Sequence, residues 1–176
     1  FDGELLRTEP HQRWIPKAYE GRPFTIFETG GTTGMPKQRI GWEDYKYDYE
    51  SFSETLDESA FPRGGYWLMI GPTGPRRLRL AIEHLANHRG SACYFVDLDP
   101  RWVKKLIKNK EFDQAKAYMR HVIDQAVSIL ENRSVNALFT TPKLLEELSE
   151  RISIPDAGIK GVFCGGTTMT CFLYSA

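Results

Sequence analysis

Between Thr29 and Lys37 the chain reads Thr-Gly-Gly-Thr-Thr-Gly-Met-Pro-Lys, an inventory suited to holding phosphate. Gly30, Gly31 and Gly34 carry no Cβ, so backbone N–H groups there are able to turn toward an anion and approach it closely. Thr29, Thr32 and Thr33 add hydroxyl donors, and Lys37 adds a point charge. A polyphosphate matches that set of groups. The Walker A loop is a different arrangement, because it requires Gly-Lys-[Ser/Thr] leading straight into a helix. Here Lys37 follows Met35-Pro36, Gln38 takes the Ser/Thr place, and Pro36 biases Met35 away from helical geometry. A P-loop NTPase is therefore excluded.

Three further segments carry residue types able to meet a small ligand. In Gly165-Gly166-Thr167-Thr168 the paired glycines would let a flat base lie on the main chain, whose donors and acceptors read its edge. The same four residues also satisfy a plain turn after a strand. Pro72, Thr73 and Gly74 follow an apolar run, and Thr140 and Thr141 precede Pro142. Thr141 followed by Pro142 is equally a helix N-cap with proline at the first helical position. Arg76 and Arg77 read as solvated cations of a first helical turn. His84 and His88 stand four apart on a helix, but no HExxH pattern or third ligand accompanies them, so no metal site is expected.

The elements that must position these segments follow from periodicity. Phe24 to Phe27 is expected as a strand, rich in aromatic and β-branched residues. Trp42, Tyr45, Tyr49, Phe52 and Leu56 recur at helical spacing, which places a helix over Trp42 to Glu58. Tyr66 to Ile70 is a continuous apolar run, as in a strand buried on both faces. Arg76 to Arg89 is expected as a helix with Gly90 at its C-terminal cap, and Ser91 to Val96 as a strand. Asp99 and Pro100 begin another helix, and Asp113 to Glu131 carries the clearest apolar stripe. Val135 to Thr140, Pro142 to Arg151 and Ile159 to Cys164 complete the alternation as strand, helix and strand. The expected fold is α/β, a largely parallel sheet with helices on both faces. Ligands of such sheets bind at the carboxyl ends of the strands, so the loops beginning at Thr29, Gly71, Thr140 and Gly165 are expected to share one rim.

Composition narrows the partners. A chain of 176 residues buries roughly 70% of its unfolded surface and suits one domain. Lys plus Arg and Asp plus Glu both number 23, so no basic field favours nucleic acid. Cys93, Cys164 and Cys171 lack metal or redox spacing and fit buried thiols of a reducing cytoplasm. No apolar run reaches the roughly 20 residues of a membrane span, and the start lacks the plan of a signal peptide. Beginning at Phe1 and ending just after a glycine-rich turn, the chain is expected to be part of a longer one.

The run Thr29 to Lys37 resembles the phosphate loop of the adenylate-forming superfamily, which comprises acyl- and aryl-CoA synthetases, peptide-synthetase adenylation domains and luciferases. That loop commonly reads T-S-G-[ST]-T-G-x-P-K-G; Gly30 replaces its Ser and Gln38 its last Gly. Asn136 to Leu145 is similar to the family's strand-to-helix segment beside the acyl pocket, and Ile159 to Thr170 to its adenine-binding strand and G-G-x-x-[LM]-[ST] turn. Gly71 to Arg77 resembles the segment that gates the acid pocket, without the family's aromatic or His gate. The resemblance is nearest to acyl-CoA and phenylacetate-CoA ligases, and spans about Arg22 to Thr170.

The resemblance implies the following. Residues 1–22 form an irregular lead-in, and 23–176 part of the large N-terminal domain. ATP with Mg²⁺ activates a carboxylic acid as an acyl-adenylate, and CoA then accepts the acyl group. Lys37 and Thr33 serve catalysis. Thr29, Gly30, Gly31, Thr32, Thr33, Gly34 and Lys37 hold phosphates, while Gly165, Gly166, Thr167 and Thr168 hold adenine. Pro72, Thr73, Gly74, Thr140 and Thr141 line the acid pocket. The family's magnesium-binding Glu and catalytic Lys are absent from this sequence and are expected further along a longer chain. Two alternatives stand beside this reading: a non-catalytic ATP- or AMP-binding module, and an αβ scaffold segment that binds nothing alone.

Overall fold

The computed structural model describes residues 3–29, 35–74 and 77–165. Four strands form one wholly parallel sheet: β3 (Tyr66–Gly71), β4 (Ala92–Asp97), β5 (Val135–Thr140) and β6 (Gly161–Cys164), in the order β4-β3-β5-β6. Between them run α3 (Arg77–His88), α4 (Pro100–Lys108), α5 (Phe112–Asn132) and α6 (Pro142–Ser149). The expected alternation of strands and helices is present, with ends shifted by a few residues.

Strand order dictates where the helices lie. The chain leaves β3 in one direction to reach β4, then returns past β3 to β5. Right-handed crossovers in opposite directions deliver their helices to opposite faces. The core divides accordingly. On one face Trp67, Met69, Ala137 and Phe139 pack with Ile82, Leu85 and Ala86 of α3. On the other, Leu68, Ile70 and Leu138 pack with Val122, Ala126 and Leu130 of α5 and Leu144 and Leu148 of α6. Because successive residues of a strand point to opposite faces, β3 must be apolar at every one of these positions. That is why it reads as an unbroken run.

Two helix starts are set by local chemistry. Asp99 accepts the Arg101 N–H at 2.8 Å with Pro100 at the first helical position of α4, and Thr141 accepts the Leu144 N–H at 3.4 Å with Pro142 opening α6. Gly90 ends α3 with φ of 67°, a left-handed conformation that costs glycine nothing.

The expected strand from Phe24 forms one residue later, as β1 (Thr25–Glu28), and does not join the parallel sheet. It pairs antiparallel with β2 (Gln38–Gly41), from Thr25 opposite Gly41 to Glu28 opposite Gln38. Only Phe27 of β1 is buried, so this ribbon lacks the two-sided apolar run that a central parallel strand requires. Ahead of it lie α1 (Leu5–Thr8) and two short 3-10 turns, His11–Trp14 and Lys17–Tyr19.

Helix α2 (Tyr45–Glu54) is shorter at both ends than its apolar spacing predicts. Its C-terminus is closed by Thr55, whose Oγ1 donates to the Phe52 carbonyl at 2.7 Å. Beyond it, Asp57 accepts the Ser59 N–H and hydroxyl, which hold its carboxyl below the usual carboxylate range.

The turn between α2 and β3 is held by Arg89. Its side chain is 1% exposed, the guanidinium donates to the Ser53 carbonyl at 2.7 Å and twice to the Phe61 carbonyl at 2.6 and 3.0 Å, and Glu58 lies at 4.0 Å. Arg89→Met would bury those carbonyls without donors, at about 1–3 kcal/mol each. The variant is expected to unfold at lower urea concentration with an unchanged slope, losing roughly 3 kcal/mol. An unchanged midpoint would show that the carbonyls find other partners.

Candidate functional site

At the carboxyl ends of the parallel strands the chain leaves β3 and β5 toward opposite faces, which is where a doubly wound sheet opens a crevice. The loop after β3 is fixed to the end of β4. Thr73 donates its N–H at 2.8 Å and its hydroxyl at 2.7 Å to the Asp97 carboxylate. Pro72 and Gly74 line a small cleft of about 120 Å³ with Asp97, Leu98, Asp99, Pro100 and Arg101. Thr140 ends β5 on the face shared by Leu138; it is buried, and its Oγ1 has no hydrogen-bond partner among the described residues. Thr141 caps α6. The five residues expected to line one acid pocket are thus divided: Pro72 and Gly74 share a cleft, Thr73 is occupied with Asp97, and neither Thr140 nor Thr141 lines that cleft.

Gly165 continues the ladder beyond β6, its N–H donating to the Thr140 carbonyl at 3.1 Å. Three strand spacings, roughly 14 Å, separate β4 from β6 across the rim. Gly166, Thr167 and Thr168 lie outside the described residues, as do Gly30, Gly31, Thr32, Thr33 and Gly34.

Both ends of that glycine- and threonine-rich segment are described. One pair beyond the ladder of β1 and β2, the Thr29 N–H donates to the Lys37 carbonyl at 3.0 Å, and the Lys37 N–H donates to Thr29 Oγ1 at 3.0 Å. Thr29 and Lys37 therefore close the mouth of an antiparallel hairpin. The lead-in packs against it: Arg7 Nε donates to the Met35 carbonyl at 3.2 Å, and a Cβ on Gly3 would stand 2.5 Å from Lys37 Nζ.

Although β1 is not a strand of the parallel sheet, its end is tied to the sheet's rim. Arg101, in the first turn of α4, places Nη2 2.7 Å from Glu28 Oε2 and 3.3 Å from the Thr29 carbonyl. Its Nε is buried and has no hydrogen-bond partner among the described residues. Beside this junction a cleft of about 520 Å³ is lined by Phe27, Glu28, Thr29, Arg39, Trp42, Asp48 and Arg77, among others. Trp42 Nε1 is a second buried donor without a partner. Arg77 is exposed, as expected of a first-turn cation, and stacks over the Tyr49 ring, 5.1 Å from its centroid, with Asp48 at 3.7 Å. Glu28 and Arg101 carry no spacing signal in the sequence, and the helical spacing that Trp42 opens does not mark it as a cleft residue. Only the Asp99-Pro100 cap, which starts α4, hints at where Arg101 stands.

Other reactive groups are quiet. Burial pushes the Cys93 thiol up to about 12 and also raises that of Cys164, while Cys171 lies outside the described residues. His88 Nδ1 is 3.0 Å from Ser53 Oγ and 3.5 Å from Glu54. Among the described residues, no three His, Cys, Asp or Glu side chains gather to hold a metal, and no helix is long and apolar enough to cross a membrane.

Fold and rim define an α/β protein whose four-stranded parallel sheet is flanked by helices and carries an antiparallel hairpin docked at one edge of its carboxyl rim. No protein-family model matches the chain, and no curated protein matches it significantly.

Only the thiolate is a strong nucleophile, so Cys93 is expected to resist iodoacetamide at pH 8 in the folded protein and to react fully in urea. Rapid native labelling at Cys93, read by peptide mass spectrometry, would contradict the burial described here.

Proposed function

We propose that this chain belongs to an enzyme that activates a carboxylic acid with ATP and passes the acyl group to a thiol, with CoA as the acceptor. What supports the reading most is one juxtaposition. The chain's Gly/Thr/Lys segment interrupts an antiparallel hairpin whose closing residues, Thr29 and Lys37, are paired with each other, and whose end is bound to the rim of a parallel sheet. A polyphosphate at that mouth would meet the donors counted in the sequence, and a nucleotide base would reach across the rim toward Gly165 and Gly166.

In the first step a carboxylate oxygen attacks the α-phosphorus of ATP, the bond to the β,γ-pyrophosphate breaks, and an acyl-adenylate forms. In the second the thiol sulfur attacks the acyl carbonyl, its proton is lost, and AMP departs. Lys37 would neutralise charge on the β- and γ-phosphates, with Thr33 donating a hydroxyl to them. Catalysis of this kind is orientation plus stabilisation of charge on phosphate oxygens. Mg²⁺ commonly screens such phosphates, but the described residues offer it no cluster of ligands, so no step here is assigned to it. The acid would be met by Pro72, Thr73 and Gly74 on one side and Thr140 and Thr141 on the other, and the Thr140 hydroxyl, which has no partner among the described residues, is the group of these most in need of a ligand or water.

The test is pyrophosphate–ATP exchange by the full-length product with a panel of carboxylic acids. Lys37→Ala and Thr33→Val are each expected to lower the exchange rate roughly 10²–10³-fold, as removal of one preorganised donor does, with circular dichroism unchanged. Variants that match the wild type would remove the phosphate assignment. ATP binding without exchange for any acid would favour a binding module.

A further inference from the structure

We propose that Arg101 is the positioning residue of the hairpin mouth, setting where Thr29 and Lys37 stand relative to the rim of the parallel sheet. The inference rests on the reading of that mouth as a phosphate site. Among the described residues, no backbone ladder joins the ribbon of β1 and β2 to the four-stranded sheet, so the placement of these strands at the rim is set by side-chain contacts such as that of Arg101. Arg101 reaches across 73 positions of sequence to do this, binding the Glu28 carboxylate and the Thr29 carbonyl through one nitrogen.

The backbone that carries the guanidinium is itself held by a chain of contacts that begins beside the core. Tyr118 of α5 accepts the Asp99 N–H through its hydroxyl oxygen at 2.9 Å. Asp99 accepts the Arg101 N–H at 2.8 Å, and Pro100 fixes the backbone between them. From Arg101 the path continues to Thr29 and, through Thr29 Oγ1, to the backbone of Lys37. A displacement at any link would move the mouth, while the clamp itself needs no contact with ligand.

Partial burial strengthens the pair. The side chains of Arg101 and Glu28 are 37% and 25% exposed, a setting in which an ion pair is screened less than on the open surface. Planar geometry matters as well, because one nitrogen must face a carboxylate and a carbonyl together. A lysine ammonium keeps the charge without that preset fork.

Amide hydrogen exchange and calorimetry on the full-length product separate the two claims. In Arg101→Ala the amides of Thr29 and Lys37 are expected to exchange at least tenfold faster, with those of β3 and β5 unchanged. Arg101→Lys is expected to recover only part of the protection. Glu28→Gln approaches the same clamp from the other side and serves if Arg101→Ala fails to fold. ATP affinity is expected to fall about tenfold in Arg101→Ala while adenosine affinity holds, a contrast that general loss of structure would not produce. Unchanged exchange at Thr29 and Lys37 in the folded variants overturns the proposal, and so does ATP affinity equal to that of a wild type that binds it. A wild type that binds neither ATP nor tripolyphosphate removes the phosphate reading, and faster exchange at the mouth then still supports the clamp.

Discussion

Burying β3 on both faces is the constraint from which the remaining architecture follows. Trp67 and Met69 need one apolar layer, Leu68 and Ile70 need another, and each layer must come from helices that the chain delivers between strands. Only crossovers running in opposite directions from the middle of the sheet supply both. The order β4-β3-β5-β6 is the result. That order sends the loops after β3 and β5 toward opposite faces, so the requirement that builds the core also sets the kind of switch point at which ligands of open α/β sheets bind.

Two arginines extend this frame to the parts that the sheet does not reach. Arg89 satisfies backbone carbonyls in the turn after α2 from within the protein. Arg101 does the comparable task for the hairpin, at half-burial. The guanidinium group suits both positions because its several donors leave in fixed directions and it stays charged at any physiological pH.

What the sequence disclosed and what it withheld divide along physical lines. The run Tyr66 to Ile70 and the stripe on α5 were legible because burial imposes a period on the residues that face a core. The starts of α4 and α6 were legible because Asp99-Pro100 and Thr141-Pro142 are local chemistry. Strand β2 was not, since Gln38-Arg39-Ile40-Gly41 carries a single apolar strand former. Nor was the separation of β1 from the parallel sheet, which depends on partner strands and not on its own residues. Of the candidate site, the types and spacing of Thr29 to Lys37 suggested the proposed anion loop, and what the structure adds is the pairing of Thr29 with Lys37 at its two ends. Arg101 and Glu28 were invisible because a bond between positions 73 apart leaves no period, and the sequence held no sign that Pro72 and Gly74 share a cleft with Arg101 and not with Thr140 and Thr141.

Helix α4 and the residues just after it have a character of their own. From Arg101 to Lys110 the chain carries Arg101, Lys104, Lys105, Lys108 and Lys110 and no acid, while the whole is formally neutral, so the remainder has five more acids than bases. The four lysines are exposed. A neutral molecule built this way carries its charge unevenly, with five positive charges in a stretch that begins at the hairpin contact. An anion near that stretch would feel its field before any contact is made, and the pull would fade once salt shortens the Debye length to about 8 Å or less. Net charge, the quantity by which such a chain is first judged, conceals this. Capture rate, as distinct from affinity, is where the asymmetry of α4 would be felt.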